Sequence, residues 1–126
     1  MKTTNTPMSD YVKITGNTLE TGLSIFRFEE DGSKIVYSPA LNVIGYGKTF
    51  DEAVSDFEFC LNEFFHSTLT NGSFEKELAR LGWKCQEQQM TAPTMLELLP
   101  KDDIFREMFN NLNYRKQNMS VSMSLA

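Results

Sequence analysis

Apolar and polar positions along this chain spell out strands first and helices after. Tyr11-Val12-Lys13-Ile14-Thr15 alternates with a period of two, the pattern of a half-buried edge strand. Leu23-Ser24-Ile25-Phe26-Arg27-Phe28 is rich in β-formers and stops at Glu29-Glu30-Asp31-Gly32. Asp-Gly between two apolar runs is a hairpin signal, so Ser33 to Tyr37 is predicted to return antiparallel. Pro39 has no N–H to give to a ladder and closes that strand. Val43-Ile44-Gly45-Tyr46-Gly47 reads as a third strand, with glycines that permit strong twist or a close backbone approach.

The periodicity then changes to that of a helix. Thr49-Phe50-Asp51-Glu52 fits a capping box: the threonine hydroxyl accepts an orphan N–H and the glutamate reaches back. Ala53, Phe57, Cys60, Leu61, Phe64 and Thr68 are predicted to form the inward stripe, and Asn71-Gly72 ends the helix. Ser73 is expected to cap a short second helix over Phe74 to Leu81, stopped by Gly82. Trp83-Lys84-Cys85-Gln86 is predicted as a fourth strand.

From Gln86 to Thr94 the chain is polar and contains Pro93, so the compact body is expected to end near residue 90. Beyond lie two helical patches, Met95 to Leu99 and Asp102 to Leu112, separated by Pro100. The last residues alternate again: Met119, Val121, Met123 and Leu125 fall on one side and serines on the other. A strand so poor in local propensity needs an edge to pair with, in its own sheet, a second copy or a partner. A homodimer is the first expectation, which assigns those four residues to oligomerisation. The fold class expected is α+β: a three- to four-stranded antiparallel sheet with one long helix packed on it. This gives an α+β domain over 1–90 and a C-terminal appendix over 91–126.

Charge sharpens the picture through its placement. The chain has 126 residues, 12 Lys and Arg, 17 Asp and Glu, and a formal net charge of −5. Acids and bases cancel in 1–50 and again from Ser73 onward. The excess lies between Asp51 and Gly72, where Asp51, Glu52, Asp56, Glu58 and Glu63 meet no Lys or Arg. One concentrated acidic helix points to a basic partner and away from nucleic acid at that surface. On the helix's outer face, Phe59 stands opposite the inward stripe, ringed by Glu52, Ser55, Glu63 and His66. An aromatic with an acidic rim has the make-up of a protein interface.

Other chemistry finds little support. Two cysteines, Cys60 and Cys85, match no zinc or Cys-x-x-Cys spacing and read as thiols in a reducing, cytoplasmic setting. No apolar run is long enough to span a membrane, and the N-terminus carries no signal-peptide pattern. Glu29, Glu30 and Asp31 sit together in a turn rather than converging on a metal from separate elements. His66 has no sequence-local carboxylate or cysteine partner, and Gly45-Tyr46-Gly47 lacks the remainder of a phosphate loop. No catalytic, cofactor-binding or metal-binding residues are therefore assigned. Phe26, Phe28 and Tyr46 are aromatic residues on strands, suited to stacking bases or to core packing.

Ile35-Val36-Tyr37-Ser38-Pro39-Ala40-Leu41, then Gly45-Tyr46-Gly47-Lys48-Thr49, then Asp51-Glu52-Ala53 resemble the HicB-type antitoxin family over about residues 20 to 87. That family shows a strand ending in Tyr-x-Pro-x-Leu, a Gly-x-Thr turn and a Glu-Ala pair opening an acidic helix. Here Asn42-Val43-Ile44 stand where the family often has Pro-Gly-Cys. The resemblance implies a β-β-β-α-β core like a truncated ribonuclease H fold. It also implies a non-catalytic role, masking a small basic ribonuclease toxin of a toxin–antitoxin pair. Many members also carry a DNA-binding domain; residues 91–126 are too short for a helix-turn-helix, so DNA binding stays open. The alternatives are an orphan oligomeric adaptor or regulatory module, and a weak single-stranded RNA binder.

Overall fold

Asp31 and Gly32 both take left-handed backbone conformations, with φ of 54° and 83°. That is the turn geometry that lets two strands fold back with matching twist. The computed structural model describes residues 10–86, 89–111 and 113–125. Along the chain run β1 (Tyr11–Thr15), β2 (Thr18–Glu30), β3 (Ser33–Ser38), β4 (Val43–Gly47), α1 (Phe50–Thr70) and α2 (Phe74–Arg80). They are followed by β5 (Lys84–Gln86), β6 (Gln89–Thr91), α3 (Met95–Leu98), α4 (Asp103–Asn111) and β7 (Tyr114–Ser124). The expected loose segment at residues 1–9 and the expected helix end at Leu112 lie outside the described residues.

The fold is α+β, and its antiparallel sheet has seven strands rather than three or four, in the order β4-β3-β2-β1-β6-β5 with β7 also paired to β2. Strand β2 is the hub. It pairs with β1 over Thr18–Gly22 and with β3 over Phe26–Glu30. Its pairing with β7 is continuous from Thr18 to Phe28. Because β7 fills one whole edge, β1 and β3 share the other, end to end. The predicted fourth strand exists as β5 but pairs with β6, inside the stretch expected to be a loop. Met90, fully enclosed, anchors that hairpin in the core.

Helix α1 covers one face of the sheet. Ala53, Phe57, Leu61 and Phe65 are buried against Leu19, Leu23, Ile25, Val36 and Val43. The stripe differs from expectation at one step: Phe65 is buried, whereas Cys60 and Phe64 are half-buried. Inward positions at 53, 57, 61, 65 and 68 follow the i+4 row down the helix. Gly45 makes the close approach possible, since a Cβ there would lie 2.4 Å from the Phe57 nitrogen. Trp83 also enters this core, and its indole N–H donates to the Ala40 carbonyl at 2.8 Å.

Strand β6 straddles the boundary expected near residue 90, and the residues beyond it add β7 to the sheet and cover its second face. There Phe26, Phe28, Ile35 and Tyr37 pack against Leu98, Phe105 and Met108. The Phe26 and Phe105 rings lie 5.3 Å apart. The cause is written in β2: Leu23 and Ile25 face α1 while Phe26 and Phe28 face the other way. A strand apolar on both faces needs cover on both. The tail also finds an edge within its own chain, on β2. Met119, Val121 and Met123 are half-buried beside the α1 core.

Candidate partner-binding face

Thr49 caps α1, its hydroxyl accepting from the Glu52 N–H at 3.1 Å. Glu52 reaches back to the N–H of Lys48 at 2.8 Å, one residue before the cap. The carboxylates of Asp51 and Glu52 also sit at the positive end of the helix dipole. These local bonds fix where α1 begins and hence which residues look outward. Asp56 is half-buried and accepts from the Tyr46 N–H at 2.9 Å, tying α1 to β4.

All five residues predicted for a partner face are exposed: Glu52, Ser55, Phe59, Glu63 and His66. Phe59 is 64% exposed, a large apolar side chain with no core to enter. Glu58 is exposed beside it. Among the described residues the ion pairs are Lys34–Glu29, Arg80–Glu77 and Arg106–Asp103. None engages an acid of α1, so the helix presents uncompensated negative charge around an aromatic centre. Cys60 lies next to this face, and its thiol is held above the ordinary range by burial, then by Asp56 and Glu63. That disfavours the thiolate and with it a nucleophilic role.

Other candidate residues do not assemble into a site. Glu29 is bound to Lys34 at 2.6 Å, and the hairpin acids stay at a turn. The described residues contain no group of acids, histidines and cysteines arranged to hold a metal. Phe26 and Phe28 are buried and unavailable for stacking bases; Tyr46 is exposed. No described helix is long and apolar enough to cross a membrane.

One feature escaped the sequence reading. Arg27 on β2 stands directly opposite Arg115 on β7. Both line a shallow cavity of about 620 Å³ at the hairpin end of the sheet. The Arg27 guanidinium lies 5.8 Å from the centre of the Phe50 ring, and its Nε is buried without a hydrogen-bond partner among the described residues. Arg115 lies just before the alternating residues of the tail, and only the long-range register brings it opposite Arg27.

No protein-family model, curated protein or solved structure matches this chain.

Proposed function

We propose that this chain is a non-catalytic, antitoxin-like binding protein whose α1 outer face covers a small basic protein. The observation that carries the reading is Phe59, an exposed aromatic at the centre of a helix face that holds Asp51, Glu52, Glu58 and Glu63 and no Lys or Arg. Central aromatic anchors dominate binding energy, and a charged rim steers encounter and selects the sign of the partner. The HicB-type motifs give that partner a chemistry: a basic ribonuclease, whose RNA-binding surface is itself positive and would be masked by an acidic helix. The cytoplasm is the setting such a pair requires.

The test looks for a small basic protein that is encoded beside this chain or co-purifies with it, and pairs the two. Titration of that protein's ribonuclease activity should show stoichiometric inhibition by the wild-type chain and weakened inhibition by Phe59→Ala. Absence of inhibition by the wild-type chain, or equal inhibition by Phe59→Ala and Glu63→Lys, overturns the reading.

A further inference from the structure

We propose that β7 is a self-complementary edge, and that two copies of this chain join through it into one continuous sheet across a two-fold axis. Along an antiparallel strand each residue sends its N–H and C=O to one edge, and its neighbours send theirs to the other. The Leu125 N–H donates to the Asn17 carbonyl. Odd-numbered residues of β7 therefore bond β2, and Lys116, Asn118, Ser120 and Ser122 point their backbone groups outward. Among the described residues, β2 is the one strand that β7 pairs with. This outer edge is long, and its register against β2 runs without a bulge over all of Tyr114–Ser124. It also holds no proline, and its charges, Arg115 and Lys116, stand near one end only. From Asn118 to Ser122 the edge has none of the bulges, prolines or charges that normally blunt an edge, and such a stretch is a template for another strand.

The sequence of β7 favours a second copy in one orientation. Its bases, Arg115 and Lys116, sit together near one end. A parallel pairing would line up like charges side by side, whereas an antiparallel pairing sends them to opposite ends of the ladder. Antiparallel pairing of identical strands is isologous and closes as a dimer rather than growing into a filament. With the two-fold axis at Ser120, Asn118 of each copy pairs with Ser122 of the other. On the α1 face, Met119 then meets Val121 of the second copy, twice. Met119 and Val121 are only half-buried in the single chain, and this contact covers them further. On the opposite face the ladder presents Asn118, Ser120 and Ser122, small polar side chains that pair without crowding. The α1 helices lie on the same side of the joined sheet, so the dimer leaves both partner faces open and the inference goes beyond the binding role proposed above.

Sedimentation equilibrium of the full chain alone tests this without any partner protein. The wild-type chain is expected at twice the monomer mass over a concentration series. Ser120→Pro removes an outward N–H and spares the β2 ladder. Ser120→Glu places a carboxylate directly opposite its own copy. Ser120→Pro, which loses a hydrogen bond from each copy, is expected to raise the dimer dissociation constant by about tenfold or more, and Ser120→Glu by about twofold to fivefold, with an unchanged far-UV spectrum. If the proline variant fails to fold, the glutamate variant decides. A wild-type chain that stays monomeric, or a dimer whose affinity is unmoved by Ser120→Glu, overturns the proposal.

Discussion

The Tyr37 hydroxyl donates a hydrogen bond to the Asp102 carboxylate, 65 residues further along the chain. Tyr37 is wholly buried on β3, while Asp102 also accepts from the Phe105 N–H at 2.9 Å and so caps α4. One carboxylate thus starts the helix and ties it to the sheet face it covers. Burial, followed by the hydrogen bond and charge of Asp102, pushes the Tyr37 phenol far above its ordinary value of 10.0.

Tyr37→Phe is expected to cost about 1.5–3 kcal/mol, the range for a hydrogen bond to a charged group. The same pair gives the fold an alkaline limit. Below about pH 10 the phenol is protonated in both the folded and the unfolded chain, and its contribution is complete. Above that pH the unfolded chain ionises while the fold must keep the proton, so stability falls as pH rises. Urea denaturation between neutral and strongly alkaline pH should show a steeper decline in the wild type than in Tyr37→Phe. Equal slopes would mean that Tyr37 is not the group responsible.

Gly45→Ala tests the seat of α1 on β4. The new Cβ would lie within 2.7 Å of three backbone atoms of the helix, at Ala53 and Phe57. Backbone cannot swing aside as a side chain does, so the cost is expected at or above the usual range of about 1–3 kcal/mol for overpacking. Thermal unfolding followed by circular dichroism measures it, and a melting temperature equal to wild type would show that α1 rides higher on the sheet.

Arg115→Gln should stabilise the isolated chain. Arg27 and Arg115 face each other across the β2–β7 ladder, and neither forms an ion pair with a described residue. Removing one of two like charges placed directly opposite is worth about 0.2–1 kcal/mol. Chemical denaturation should show the gain at low ionic strength and a smaller one at high salt, because exposed charges are screened. A loss of stability instead would mean that the Arg115 stem contributes more by packing than its charge costs.

These contrasts show what can be read from sequence and what cannot. The Asp31-Gly32 turn and the Thr49 cap are decided by a few neighbouring residues, so the β2–β3 hairpin and the start of α1 are local information. Ser73 was expected to cap α2 and does not; its hydroxyl instead donates to the Asn71 side chain at 2.6 Å. The Asn71 side-chain oxygen accepts from both the Ser73 hydroxyl and the Ser73 N–H, and that local turn, rather than the cap, is what the sequence does not reveal. The cover of the second sheet face is non-local. Leu98, Phe105 and Met108 straddle Pro100 and make sense as a set only once Phe26 and Tyr37 are known to lie opposite them. Among the described residues of the β5–β6 hairpin, Met90 is the one buried apolar anchor, too brief a signal in a polar stretch. The outward set around Phe59 was legible because helical periodicity alone separates it from the inward stripe.

That outward set carries the last prediction, which concerns kinetics as well as affinity. Phe59 is exposed at the centre of the α1 face, and the acids around it are exposed too. A buried aromatic anchor acts after the two surfaces have met, so its loss is felt in dissociation; Phe59→Ala should release the basic partner faster by about tenfold or more. Rim carboxylates act before contact, through the field they set up in solvent. Glu63→Gln and Glu58→Gln should therefore slow association and flatten its dependence on salt, with little change in the dissociation rate. Glu52 is a poorer choice, because its carboxylate also bonds the Lys48 N–H and its loss would loosen the start of α1. Surface plasmon resonance at several salt concentrations separates the two effects. If Phe59→Ala changed only the association rate, or if the glutamine variants bound with the wild-type salt dependence, the partner would be docking on another surface of the protein.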